Sequence, residues 1–239
     1  MIFDMTKRVS GGDSSFINDE ATIRNIRFQN YTDTTNEIEV DLSKLPHLVN
    51  INEAFSSSGF TKITIVPPTY TITTQRLFYT NTALTEINII GTLKLRVNES
   101  AYEGFASSCT NLVSINGILD CSAQTRAGFF NGTNYLNAFN GCSKLRDITF
   151  KNGCMKLTTT NWNLSWCAAL SDASLVSIAN ALLDEYSGTI TFHATPKARL
   201  STIMGTVTTT DGFSTFTQSA SGTVSLYDFL TTTKHATIA

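Results

Sequence analysis

Charge is scarce in this chain: 15% of its 239 residues are Asp, Glu, Lys or Arg, and the formal net charge is -2. That lies below the usual quarter, and the few lysines and arginines are scattered. The chain therefore has neither the basic stripe that nucleic acid demands nor the polybasic segment that meets an anionic membrane surface. Apolar runs are short as well. None approaches the roughly 20 residues of a membrane-crossing helix. The N-terminal MIFDMTKRVSGGDSSFIND has no apolar stretch of signal-peptide length, which predicts synthesis in the cytoplasm without export by the general secretory route. Histidine is limited to His47, His193 and His235, with no H-x-x-x-H or H-E-x-x-H pair, and no C-x-x-C or C-x-x-H occurs. The ligand spacings of a zinc site are thus missing. No G-x-S-x-G elbow is present, and Gly11-Gly12 lacks the strand-before-helix context of a phosphate cradle. A Ser-His-Asp site is not excluded by counting, but no spacing supports one. The acidic pairs Asp19-Glu20 and Asp184-Glu185 read as solvated surface. We assign no catalytic residue, cofactor or metal.

What the chain does have is a phrase that recurs four times: FTKITI (Phe60–Ile65), LTEINI (Leu84–Ile89), LVSING (Leu112–Gly117) and LRDITF (Leu145–Phe150). Each carries a large apolar residue and, where complete, apolar residues three and five positions on. Before each stands a second phrase, AFSSSGF, LFYTNTAL, GFASSCTNL or AFNGCSKL, led by Phe55, Phe78, Phe105 and Phe139. Self-similarity at this period predicts a stack of like coils, with each repeated strand turning its L-x-x-I-x-I residues inward. The five cysteines follow the repeat. Cys109, Cys142 and Cys167 each precede a leucine by three residues, in a slot that Ser57 holds before Phe60 and Asn81 before Leu84. Cys121 and Cys154 share another slot, nine residues after Leu112 and Leu145. Cysteines in register predict small buried side chains stacking between coils, with reduced thiols.

Along the chain, residues 1–20 read as a polar arm. TIRNIRF, with Ile23, Ile26 and Phe28, echoes the repeat, and Glu37–Leu42 alternates Ile38, Val40 and Leu42 like a half-buried strand. The step from Phe105 to Phe139 carries an insertion, Ser122–Leu136, with Phe129-Phe130 inside it. Those two rings are either a recognition knob or packing against the stack. Beyond Asn161 the pattern changes. Ser171 or Asp172 is the expected N-cap of an amphipathic helix bearing Leu175, Ile178, Ala179, Leu182 and Leu183, closed by Gly188. Thr189–Phe192 reads as a strand, Thr195-Pro196 as the start of a second helix with Pro at its first position, and ATIA as a last strand. The segments between read as Gly-, Ser- and Thr-rich turns and a short SLYDFL segment (Ser225–Leu230). The expected organisation is an arm over 1–20, a solenoid with an N-terminal capping repeat over 21–161, and a mixed α/β cap over 162–239.

GFASSCTNLVSING, AFNGCSKLRDITF and AFSSSGFTKITIVP resemble the repeat of the BspA-like leucine-rich-repeat family, loosely aF-x-x-C-x-x-L-x-x-I-x-I-P, over about residues 48–150. The SLVSIANALLD…TITFHATPKARL block resembles the terminal segment of its bacterial and phage members. The resemblance implies a leucine-rich-repeat β-solenoid of short irregular coils. It also implies an interaction role, as in bacterial surface adhesins, protist surface proteins and structural proteins of gut phages. Our expectation is a virion or fibre component that meets other structural proteins, a host-surface receptor or a glycan, with homo-oligomers allowed. A bacterial surface adhesin is the first alternative and a glycan-acting hydrolase the second. No nucleic acid and no membrane insertion are expected.

The outward residues of the repeated strands form two candidate partner-binding rows. One is Lys62, Glu86, Ser114 and Asp147. The other is Thr64, Asn88, Asn116 and Thr149, neutral and rich in hydrogen-bonding groups. A solvated face with side-chain ladders is the competing reading. Trp162 and Trp166 flank NLS. Buried, they fill the core; exposed, a tryptophan there marks a contact surface.

Overall fold

Each complete L-x-x-I-x-I phrase becomes one strand of a parallel sheet. The computed structural model describes residues 37–96, 104–125, 127–131 and 137–239; the arm, TIRNIRF and part of the Ser122–Leu136 insertion lie outside the described residues. Strands β1 (Glu37–Asp41), β2 (Lys62–Val66), β3 (Glu86–Lys94), β4 (Ser114–Asp120) and β5 (Asp147–Phe150) pair in chain order, every pair parallel. The molecule is β-rich, with few helices and a parallel β-solenoid of about five turns. Parallel neighbours require a crossover. Here the crossovers stack too: Phe55 N–H donates to Leu77 O at 2.9 Å, Thr80 N–H to Ser107 O at 2.9 Å and Ser108 N–H to Asn140 O at 2.6 Å. Both sides of a coil therefore satisfy their backbone on the next coil.

The core is a set of columns. Ile38, Ile63, Ile87, Ile115 and Ile148 stand side by side across all five strands, each buried. Phe55, Phe78, Phe105 and Phe139 follow one another with ring centroids 5.6, 5.2 and 6.2 Å apart. Such contacts add about 0.5–1.5 kcal/mol each beyond the area they bury. The thiol column is a hydrogen-bond ladder. Cys109 donates to Phe78 O at 2.8 Å, Cys142 to Ala106 O at 3.0 Å, and Cys167, beyond Asn161, reaches toward Phe139 O at 3.8 Å. Burial pushes the Cys142 thiol up to about 12 and raises Cys109 and Cys167 well above their ordinary value. These sulfurs stay protonated donors rather than nucleophiles. All five cysteines are free and buried.

The slot assignment needs one correction. Asn81 holds it as expected, donating to Phe55 O at 3.4 Å and Ser58 Oγ at 2.6 Å. In the preceding coil its occupant is Ser58 rather than Ser57, because that coil places one residue fewer before Phe60. Ser57 instead takes a left-handed corner shared with Thr80, Ser108 and Gly141 (φ 53, 54, 65 and 76). The incomplete phrase LVSING also has its explanation. Gly117 has φ 102, and a Cβ there would lie 2.2 Å from the Ile89 carbonyl oxygen. The β3–β4 register shifts across this point.

The insertion contributes a short helix, α1 (Gly128–Asn131). After β5 come β6 (Trp162–Leu164), α2 (Asp172–Ala181), β7 (Thr189–Phe192) and α3 (Ala194–Arg199), with β7 pairing parallel to β6. Ser171 is the N-cap of α2 and accepts from Ser174 N–H. The helix stops at Ala181, well before Gly188, because Leu182 is drawn into a parallel bridge with Met155. His193 caps α3, which puts Pro196 at the third helical position rather than the first. The Thr-rich region read as turns is a hairpin, β8 (Met204–Thr210) and β9 (Phe213–Gln218), extended by β10 (Val224–Ser225) against β8. A helical stretch (Leu226–Asp228, then Phe229–Thr233) leads to β11 (Thr237–Ile238), which pairs parallel with β7.

An unpaired sheet edge leaves backbone groups to be satisfied. Along β5, α2 supplies them: Ser174 Oγ accepts from Ile148 N–H at 2.9 Å and donates to Arg146 O at 2.9 Å. One turn on, Ser177 Oγ accepts from Phe150 N–H at 2.7 Å. Elsewhere the C-terminal segment is tied by a buried cation. Lys234 is fully buried; its ammonium donates to Asp184 Oδ1 at 2.5 Å and Ser214 O at 2.6 Å and lies 4.1 Å from the Phe213 ring centroid. Burial pushes the Asp184 carboxyl up, but hydrogen bonds from Lys234 and Ser214 outweigh this and hold it below its ordinary value.

Candidate partner-binding face

The alternation that turns isoleucines inward sends their neighbours out, and the register lines those neighbours up. Lys62 pairs with Glu86, Glu86 with Ser114 and Ser114 with Asp147, so the first expected row is assembled. Glu37 of β1 extends it, and its first three charges alternate in sign: Lys62 Nζ lies 3.6 Å from Glu86 Oε1. Asp147 is held by the residue just before its strand, Arg146, at 2.8 Å. The second row runs Glu39, Thr64, Asn88, Asn116. Asn116 Nδ2 donates to Asn88 Oδ1 at 2.8 Å and to Glu86 Oε1 at 3.2 Å, linking the two rows. Thr149 is exposed but does not simply extend this row. Ile115 pairs with Ile148 and Leu119 with Phe150, so Thr149 faces a bulge of three residues on β4.

Phe129 and Phe130 are not available to a partner. Both are buried: Phe130 meets Phe129 edge-on at 5.0 Å and Trp162 at 5.3 Å, and Trp162 meets Phe150 at 5.1 Å. The recognition-knob reading gives way to packing, since burying a ring is worth about 1.5–3 kcal/mol that exposure forgoes. The two tryptophans part company. Trp162 is buried in this cluster, whereas Trp166 is 52% exposed.

Two exposed side chains on this sheet escaped the sequence reading. Ile90 is 59% exposed and Ile118, the pairing partner of Thr92, is 39% exposed. The clue was the doublet Ile89-Ile90 followed by Gly91, which breaks the period of two. Gly91 has φ 105, and the irregularity lies between Asn88 and Thr92. Mixed polar rows bordered by exposed aliphatic side chains can bury apolar area and make hydrogen bonds at once. Among the described residues no group of three or more His, Cys, Asp or Glu side chains is placed to hold a metal ion, and no helix is long and apolar enough to cross a membrane.

No protein-family model, curated protein or solved structure matches this chain. The face is defined by its own geometry: an in-register surface of charged, amide and hydroxyl groups with two aliphatic side chains at its margin.

Proposed function

We propose that this is a non-catalytic interaction and structural protein, a short leucine-rich-repeat solenoid of the BspA-like type. In this reading α2 and the C-terminal segment cap its last coil, and it serves as a phage virion or fibre component. The observation that carries the proposal is the outward sheet face, where Lys62, Glu86, Ser114 and Asp147 align beside Thr64, Asn88 and Asn116, with Ile90 and Ile118 exposed nearby. Such a surface suits another structural protein or a host-surface receptor, because ordered side chains lose little conformational entropy on binding. Immunogold electron microscopy of particles from cells that make the chain tests this. Label confined to a tail or fibre supports the reading, and particles free of label overturn it. Ile90→Asp should abolish attachment while leaving the fold intact.

A second reading, a bacterial surface adhesin, is favoured by Trp166, whose exposed indole is a ready platform for a sugar ring or a partner side chain. Localisation to the cell envelope, with no particle association, would move the assignment there.

A further inference from the structure

We infer that a groove on the first coils is a binding site for a small saccharide that carries a carboxylate. The groove has a volume of about 430 Å³ and is formed where three coils meet: His47 and Val49, then Tyr70, Thr71 and Thr73, then Arg96. That volume falls within the range of about 300–1,000 Å³ typical of ligand sites. Among the described residues no acidic side chain lines it.

The guanidinium decides the chemistry. Among the described arginines, Arg76 holds Glu53, Arg146 holds Asp147 and Arg199 holds Asp172. Arg96 has no carboxylate partner among the described residues and is exposed on the groove. Its backbone is fixed, with Thr74 N–H donating to Arg96 O at 2.9 Å and Arg96 N–H to Thr74 Oγ1 at 3.3 Å. The floor is fixed as well: Thr73 N–H donates to Val49 O at 3.2 Å, Ile51 N–H to Thr73 O at 2.9 Å, and the Tyr70 hydroxyl to Leu45 O. An arginine on a rigid floor presents a planar fork that matches a carboxylate bidentately. A single guanidinium answers a single negative charge, which favours a carboxylate over a phosphate dianion. The Thr71 and Thr73 side chains and the His47 ring offer hydrogen bonds to sugar hydroxyls. The Tyr70 ring and Val49 give an apolar wall for the C–H face of a pyranose.

The site does not depend on whether the chain serves a particle or a cell surface. The carboxylate comes either from a free sugar acid or from an acidic residue ending a longer glycan. Saturation-transfer NMR on the full chain, with D-glucuronate and N-acetylneuraminate as probes and D-glucose as the neutral control, tests it. Saturable binding of an acid, none of glucose, and at least a tenfold loss in Arg96→Gln are expected. Arg96→Lys keeps the charge without the fork and should lose less. It also serves if Arg96→Gln fails to fold, as judged by circular dichroism and tryptophan emission. Oligosaccharides ending in the same acids, run alongside, decide the source: tighter binding than the free acids assigns a glycan terminus, equal or weaker binding a free sugar acid. No saturable binding of either acid, equal binding of glucose, or unchanged binding in both Arg96 variants overturns the proposal. Acetate competing as well as glucuronate overturns its saccharide part.

Discussion

The stacked coils and the C-terminal segment solve the same problem with opposite means. In the stack the main contacts are repeated: isoleucine meets isoleucine, phenylalanine meets phenylalanine, and a thiol or amide reaches the carbonyl of the coil before it. In the C-terminal segment the decisive contacts occur once. Lys234 reaches back 50 residues to Asp184, and Ser174 and Ser177 satisfy one edge strand. Repetition spreads stability over many similar terms, so one coil can vary at little cost. A unique contact concentrates it, so one substitution can release a whole segment.

The comparison breaks most sharply where the stack itself has a unique point. Gly117→Val is expected to cost about 4 kcal/mol, because a left-handed backbone and a clash with the Ile89 carbonyl are imposed together. Denaturant titration would show it, and a cost under about 1 kcal/mol would mean the bulge relaxes freely. Asp184→Asn should follow at about 3 kcal/mol, since it leaves a buried ammonium without its counter-charge. Hydrogen exchange should show β8 and β9 losing protection while β2 and β3 keep theirs. Uniform loss would mean the two regions are one cooperative unit. Removing both hydroxyls, Ser174→Ala with Ser177→Ala, should cost about 2 kcal/mol by stranding the Ile148 and Phe150 amides. The smallest effect concerns pH. Burial pushes Asp120 and Asp184 up, yet hydrogen bonds from Lys151 and Ser122, and from Lys234 and Ser214, leave both below the ordinary value of 3.8. Their contribution is complete above that value and is lost as pH falls through the lower, folded one. Asp120→Asn should therefore flatten the acid limb of a stability–pH curve below about pH 4.

The stack was legible because its signals reinforce one another. Ile63, Ile87, Ile115 and Ile148 carry the strand period while Phe55, Phe78, Phe105 and Phe139 mark the coil, so a misread slot such as Ser57 shifts one residue and not the fold. The hairpin was not legible as strands because its inward residues are sparse: Val207 and Phe216 face each other amid threonine. Asp211-Gly212, both at positive φ (52 and 77), were the available sign of a two-residue hairpin turn. The end of α2 was misread because it is set by Met155, a partner 27 positions away in sequence. On the candidate face, the alternating rows followed from period two. Ile90 and Ile118 did not, because the glycines at 91 and 117 break that period. The Arg96 groove leaves no motif, since its walls come from three separate coils.

The cross-coil ladder has a bearing on how such a chain changes over generations. A coil whose thiol or amide is answered by the coil before it, and whose backbone pairs with its neighbours on either side, behaves as an interchangeable segment. Duplicating the stretch from one leading phenylalanine to the next would give the copy the same partners its parent had, and the rest of the protein would be displaced without being altered. The C-terminal segment has no such freedom, because Lys234, Asp184 and Ser214 meet only as one set drawn from three separate stretches of chain. Length in this protein should therefore be heritable in whole coils, inserted or lost ahead of a terminus that stays the same.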